Sequence, residues 1–479
     1  MSSLRRLVRN TSSLILANAV QPVLSFYFIV TVTRMLGVDG LGAYSTVFNY
    51  QMIFQIFASF GLKNLLTRSL AQKPEDAARY LLHGLVVALP FALMSMAGMV
   101  VLVTSLDYPE VIVWATIFLS LSLIPAGLID ICEGVVAGSE RLHFIGYTTI
   151  AENLLRVLLS IVLLWLGFGL YTLVGIFVTL RFARLLAYLF FIFRNIARPA
   201  WPFDFACAKQ LVRQGRVFAL TMACVTIYWR ADVSLLSLFG SIEDVGIYTA
   251  AYRFFSLAMI VVDSFVNSLF PMISGFYQSS GMAFERACKK SLQVLLILTV
   301  PIALVFSLFA EPIVLLVYKE KLASAVPVLQ WLIWALVPYA VSQIFAYALL
   351  ASNNQRYDLF VNAASMIANF ALNWFLIRRY GFMGATWAAL IAIAIYVILQ
   401  LPFVLARVLP FELKSLARGA LKMAGAAAAV VACAYFSRSL GFFSAAPLAL
   451  LVYLTALFIL RIVSRNDLAI IFRLFGKTA

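Results

Sequence analysis

The sequence predicts an all-α, polytopic membrane protein. About fourteen transmembrane helices form two six-helix lobes related by a pseudo-two-fold axis along the membrane normal, with two further helices at the C-terminus. Three observations predict it. Of 479 residues, 64% are hydrophobic and only 12% charged, against about 25% charged in soluble globular chains. The apolar residues fall in long blocks whose flanking basic residues alternate from loop to loop. Two turn sequences also recur in register, six blocks apart. Soluble globular, disordered and disulfide-scaffold classes are excluded at this level.

Each block can cross a hydrocarbon core, which takes about 20 helical residues. The blocks lie near 12–35, 41–62, 80–105, 110–137, 143–166 and 170–193, and resume at 216–239, 245–275, 288–310, 323–351, 357–377 and 381–405. Two more follow at 417–437 and 441–462. The basic N-terminus leads into an apolar stretch with no small-residue cleavage site, the pattern of a retained first span. The domains read as 1–194 (first lobe), 195–215 (cytoplasmic linker, with prolines flanking Trp201), 216–406 (second lobe) and 407–479 (helices thirteen and fourteen with a tail). The last two helices either form a groove of their own or simply pack on the lobes.

Charge placement tests the count. On one face lie 25 basic residues, from Arg5, Arg6 and Arg9 through Lys63, Arg68, Lys73 and Arg79 to Arg473 and Lys477. The other face has six: Arg34, Lys319, Lys321, Arg378, Arg379 and Arg438. Cytoplasmic loops carry such an excess, so both termini are expected in the cytoplasm. The formal net charge of +16 is then topology signal, and no nucleic-acid partner is called for. The two histidines, His83 and His143, are too few for a multi-histidine metal site. The five cysteines are scattered and read as free thiols. No HExxH, GxxxxGK[ST] or GxSxG motif occurs, and no cofactor is expected.

The internal repeat is visible in two turns. Gly37-Val-Asp-Gly-Leu-Gly42-Ala-Tyr44 follows the first span, and Gly240-Ser-Ile-Glu-Asp-Val-Gly246-Ile-Tyr248 follows the seventh. Likewise Ala137-Gly-Ser-Glu-Arg141 matches Ala351-Ser-Asn-Asn-Gln-Arg356, and the hairpins after them run on to Gly167 and Gly381. An even number of spans between copies gives both the same direction through the membrane, hence an axis along the normal and a cavity between the lobes.

In these motifs the chain resembles the Wzx-type polysaccharide flippases of the multidrug/oligosaccharidyl-lipid/polysaccharide exporter superfamily. The resemblance rests on Arg34-Met-Leu-Gly-Val-Asp-Gly-Leu-Gly-Ala-Tyr44 and Asp244-Val-Gly-Ile-Tyr-Thr-Ala-Ala-Tyr-Arg253, with Leu269-Phe-Pro271 and Ala325-Val-Pro327-Val-Leu-Gln-Trp331. It covers about residues 10–405. It implies alternating-access transfer of an undecaprenyl-diphosphate-linked oligosaccharide, an O-antigen, capsule or exopolysaccharide unit. The transfer would run from the inner to the outer leaflet of a bacterial cytoplasmic membrane, with a polymerase and chain-length machinery as partners. The extra helix pair looks more like the lipid II flippase branch.

Ten charges fall within the blocks, five basic and five acidic. Each would cost about 2.5–3.5 kcal/mol facing lipid at the midplane, so they must face protein or water. Arg181 and Arg184 share a helix face, and Arg230, Arg253 and Arg34 complete a set of five. A planar guanidinium suits a diphosphate, so these five are candidates for binding substrate, with inter-helix ion pairs as the alternative. Glu152 and Arg156, at i and i+4, read either as a local brace or as part of the site. Asp232 and Asp263 are candidates for a coupling H+ or Na+, or for structural partners of the arginines. Asp130 and Glu133, beside a Gly134–Gly138 close-contact spacing, read as interfacially solvated. Asn18, Gln21, Gln51 and Gln55 either bond sugar hydroxyls or join helices.

Two rival classes are weighed. A membrane polysaccharide polymerase or ligase needs a catalytic loop, and the longest outer loop, 311–322, has no histidine. A cation-coupled multidrug exporter would want a carboxylate-dominated cavity. Neither fits as well as an anionic lipid-linked cargo, so the chain is read as a transporter and not an enzyme.

Overall fold

The computed structural model describes residues 3–199, 203–352, 354–408, 413–437, 441–460 and 462. The chain divides into two compact units, Met1–Ala250 and Ala251–Ala479. The first holds α1 (Ser3–Ser59), α2 (Leu62–Gln72), α3 (Ala77–Thr104), α4 (Glu110–Ser120), α5 (Leu123–Gly138), α6 (Leu142–Trp165), α7 (Leu170–Asn195) and α8 (Phe205–Phe239). It also takes the first turns of α9 (Ile242–Ser279). The second unit continues α9 and adds α10 (Gly281–Leu308), α11 (Ala310–Tyr318), α12 (Ala325–Leu332) and α13 (Leu336–Ala351). It ends with α14 (Gln355–Arg407), α15 (Leu413–Phe436) and α16 (Phe442–Ile459).

Eleven helical stretches are long and apolar enough to cross a membrane, and Leu421–Phe436 is a shorter apolar one. Two of the eleven are double. α1 is interrupted at Gly37 (φ 77, ψ −171) and α14 at Gly381 (φ 55, ψ −133). Positive φ is open to glycine and costly for other residues, so each break sits on a residue that can make it. Divided there, the helices give the fourteen segments the sequence predicts.

Two other spans break for a different reason. Pro125 removes the N–H that the Leu121 carbonyl would accept, and the helix divides there into α4 and α5. Pro338 does the same to Trp334, and a 3₁₀ turn, Ile333–Ala335, separates α12 from α13. Proline breaks the i→i−4 ladder in this way. The two prolines interrupt the fourth and tenth spans, which the sequence repeat pairs. The hairpin glycines it pairs, Gly167 and Gly381, both have positive φ (87 and 55).

The repeated turns touch each other within the first unit. A Cβ built on Gly42 would lie 1.9 Å from the Ile242 carbonyl oxygen, and one on Gly246 would lie 2.3 Å from that of Val38. Val38 and Ile242 are themselves equivalent in the repeat. The contact is therefore reciprocal, as around a local two-fold axis. Only residues without a side chain let the backbones approach this closely.

Two stretches read as irregular are more ordered than that. The stretch 311–322, expected as a loop, is mostly α11 and a 3₁₀ turn, Glu320–Leu322. The second half of the 195–215 linker is the first turns of α8. Asp204 caps that helix, accepting from the Ala206 N–H at 2.9 Å and from Arg79 at 2.5 Å, while its own N–H donates to His83 Nε2 at 2.8 Å. Phe203 stacks on the His83 ring. In the second unit, α15 and α16 pack on α10 through Ala426, Val430, Ala434, Ala445, Ala449 and Tyr453. Small residues favour such close membrane-helix contact.

Gly42→Ala or Gly246→Ala is expected to force the paired turns apart and destabilise the protein by about 1–3 kcal/mol, the usual cost of overpacking, seen as a lower melting temperature in detergent. The Ala206 N–H and then Arg79 hold the Asp204 carboxyl below its ordinary range. Its stabilisation is therefore complete above about pH 3.9, the unfolded value, and is lost as pH falls through the lower folded value. Asn caps as well as Asp, so Asp204→Asn isolates the charge. Its deficit in melting temperature should be constant near neutrality and vanish in acid.

Candidate functional site

The charges of the first unit converge where α5, α6 and α7 meet α2. Arg181, Arg184 and Tyr188 recur at i, i+3 and i+7 and so share one face of α7. Thr148, Glu152 and Arg156, at i, i+4 and i+8, lie along one side of α6. Glu133 of α5 is brought close to α2 by its glycine neighbours. A Cβ on Gly134 would lie 2.9 Å from the Lys63 carbonyl oxygen, and one on Gly138 would lie 2.5 Å from Leu70 Cβ.

Glu133 is the hub. It is 5% exposed. One carboxylate oxygen accepts from Lys63, and the other accepts from Arg184 and, at 3.2 Å, from the Tyr188 hydroxyl. Arg184 also donates to Glu152 Oε2 at 2.5 Å and to Thr149 Oγ1 at 3.1 Å. Arg181 Nε stands 3.2 Å from Glu152 Oε1 and lies over the Phe177 ring. Thr148 completes the network by donating to the Tyr188 hydroxyl at 3.1 Å. Burial pulls the Lys63 ammonium down, but the carboxylates of Glu133 and Asp130 outweigh it and hold the group above its ordinary range.

Two sequence readings are corrected here. Glu133 is not solvated at an interface but enclosed and triply bonded. The Glu152–Arg156 brace does not form, because Glu152 turns to the two arginines of α7. Arg156 instead donates to Asn153 Oδ1 at 2.9 Å and stands 5.9 and 6.0 Å from the ring centroids of Phe28 and Phe177. It has no carboxylate partner among the described residues.

The other predicted residues are elsewhere. Arg34 is exposed at the end of the first half of α1. Arg230 is half-buried on α8, beside a seam in which Asn49 donates to Ser234 Oγ at 2.8 Å. Asp232 is buried and accepts from the Tyr248 hydroxyl at 2.8 Å. Gln51 and Gln55 bond each other. Asn18 is among residues whose side chains are not described. In the second unit Arg253 is half-buried on α9, and Asp263 accepts from the Tyr339 hydroxyl at 2.6 Å.

Asp358 escaped the sequence reading, being counted with the loop charges. It accepts from Tyr396 (3.2 Å), Gln400 (3.1 Å) and Asn362 (3.0 Å). A signal was present. Asp358, Asn362, Ser365, Asn369 and Asn373 fall at helical spacing along one face of an otherwise apolar span. Among the described residues no three metal-ligating side chains meet.

The sequence profile described as polysaccharide biosynthesis protein matches residues 7–276, and a MatE profile matches 218–375. This chain belongs to the polysaccharide biosynthesis protein family. A probable low-salt glycan biosynthesis flippase, Agl15 of Haloferax volcanii, is 22% identical over 198 residues, 41% of this chain and 42% of that protein. The chain thus aligns with less than half the length of that relative. The fold is that of lipid II flippase MurJ in its inward closed conformation (TM-score 0.74, 15% identity, 92% of this chain and 97% of that one). It is also that of a multidrug resistance MATE-family transporter of the MOP superfamily in its inward-facing conformation (TM-score 0.67, 14% identity, 81% of this chain and 95% of that one).

Breaking one partner of a buried ion pair costs about 3–5 kcal/mol. Glu152→Gln, which strands Arg181 and half of Arg184, is expected to destabilise the detergent-solubilised protein by about that much. Adding Arg184→Gln should recover part of the loss, because Glu133 keeps Lys63 and Tyr188. A melting-temperature double-mutant cycle reads this coupling, and strict additivity would deny it.

Proposed function

We infer that this family member is a flippase that moves a polyprenyl-diphosphate-linked oligosaccharide across the cytoplasmic membrane of a bacterium by alternating access. Transfer runs from the inner to the outer leaflet, both termini lie in the cytoplasm, and a polymerase with its chain-length machinery takes the product. One observation carries the choice of an anionic cargo. Arg156, in the apolar middle of the first unit, has no carboxylate partner among the described residues. An intramembrane guanidinium with free donors suits a phosphate or an acidic sugar and repels a cationic drug. The family, the glycan-flippase relative and the transporter fold support the same reading over a polymerase or ligase. Coupling by H+ or Na+ falls to Asp232 or Asp263, each bonded to a tyrosine hydroxyl.

Reconstituted protein should equilibrate a fluorescent undecaprenyl-diphosphate glycan between leaflets. Arg156→Ala should slow that transfer at least about tenfold, the equivalent of one lost charge-assisted bond, with Arg156→Lys retaining part of it. Transfer of lipid II alone would assign the chain to that branch. Efflux of cationic dyes without any glycan transfer would overturn the proposal.

A further inference from the structure

A cavity of about 570 Å³ opens in the second unit where the end of α10 and the start of α11 face the end of α15 and the start of α16. Its volume lies in the range of small-ligand sites, about 300–1,000 Å³. Most of the lining residues are apolar: Phe309 and Phe442 meet edge to face at 5.8 Å, and Ala434 and Ala445 line it beside them. Glu311 and Gln330 supply the polar atoms. The Glu311 carboxylate has no hydrogen-bond or ion-pair partner among the described residues, and no lining residue is basic. Tyr435, in the lining, is 62% exposed, and Phe436, Phe443 and Trp331, each next in sequence to a lining residue, are 82, 78 and 52% exposed. Aromatic side chains collect at the headgroup level of a bilayer. The cavity is therefore lined mainly by apolar residues and has a single negative charge among its described lining residues, with aromatic side chains of the headgroup level beside it.

We propose that this cavity is a binding site for a phospholipid bearing a primary amine, such as phosphatidylethanolamine, with its ammonium on Glu311 and its acyl chains against Phe309, Ala434 and Phe442. The choice of occupant follows from charge. The one charged group among the described lining residues is a carboxylate, which attracts an ammonium and repels an anionic headgroup. A primary ammonium brings three N–H donors to the carboxylate and to the Gln330 side-chain oxygen, whereas a quaternary choline brings none. The site takes a structural lipid, distinct from the anionic cargo proposed above, and does not depend on what that cargo is.

The test compares the full-length protein in nanodiscs of phosphatidylcholine alone, of phosphatidylcholine with phosphatidylethanolamine, and of phosphatidylcholine with phosphatidylglycerol. Phosphatidylethanolamine is expected to raise the melting temperature by about 2–4 °C, and native mass spectrometry should retain one such lipid. Phosphatidylglycerol should give neither effect. Glu311→Gln should abolish the increment while leaving the melting temperature in phosphatidylcholine unchanged. Ala445→Phe, which fills the slot and keeps the charge, should abolish it too. Equal stabilisation by phosphatidylglycerol, or a Glu311→Gln deficit of the same size in every lipid, overturns the proposal. The second outcome would assign Glu311 a partner within the protein.

Discussion

The first unit depends on neutralising one carboxylate. Glu133 sits on a helix buried on several sides, where an unpaired charge would cost several kcal/mol. It is tolerated because Lys63, Arg184 and Tyr188 reach it from α2 and α7. Each partner is fixed in turn by the helix that carries it. The glycines of α5 set the distance to α2, and the face shared by Arg181, Arg184 and Tyr188 sets the rotation of α7. Glu152 then holds α6 against the same two arginines. Three helix–helix contacts thus hang on one network of charge-assisted bonds, and none can slide without stranding an ion.

Backbone proximity constrains the turns in the same strict way. Gly42 and Gly246 lie against each other's equivalent neighbours, Ile242 and Val38, so the duplication in the sequence is also a physical interface. A repeat can drift wherever side chains only need to be apolar. It cannot drift where two main chains touch, and both copies keep glycine there, at Gly42 and Gly246. The paired prolines of the fourth and tenth spans and the paired positive-φ glycines of the following hairpins obey the same logic. Each marks a place where the chain must leave the helix at a given turn.

This explains how much the sequence disclosed. Span number and position follow from composition, which depends on the solvent around each residue, and they were legible to within a few residues. The repeat was legible because its constraints act on single residue types. Ion pairing was not. The i, i+4 rule assigned Arg156 to Glu152 because local spacing is all that one helix reveals. In the fold, two guanidiniums on a neighbouring helix offer Glu152 better geometry at 2.5 and 3.2 Å. Asp358 was missed because it stands at the edge of an apolar block, where a charge count assigns it to water. The polar stripe that continues from it along α14 would have placed it in protein.

The buried acids are held in two different ways, and this bears on which of them can change its charge. Protonating Glu133 or Glu152 would leave arginine or lysine unneutralised in an apolar setting, so these carboxylates are locked by the cost of the cations they hold. Asp263 and Asp358 are held by tyrosine, asparagine and glutamine. A tyrosine hydroxyl can donate to a carboxylate or accept from a carboxylic acid, so the bond survives either protonation state and no cation is stranded. A site that must gain and lose a proton or a small cation in each transport cycle needs this reversibility. The acids that fix the helices of the first unit are, for the same reason, unsuited to it.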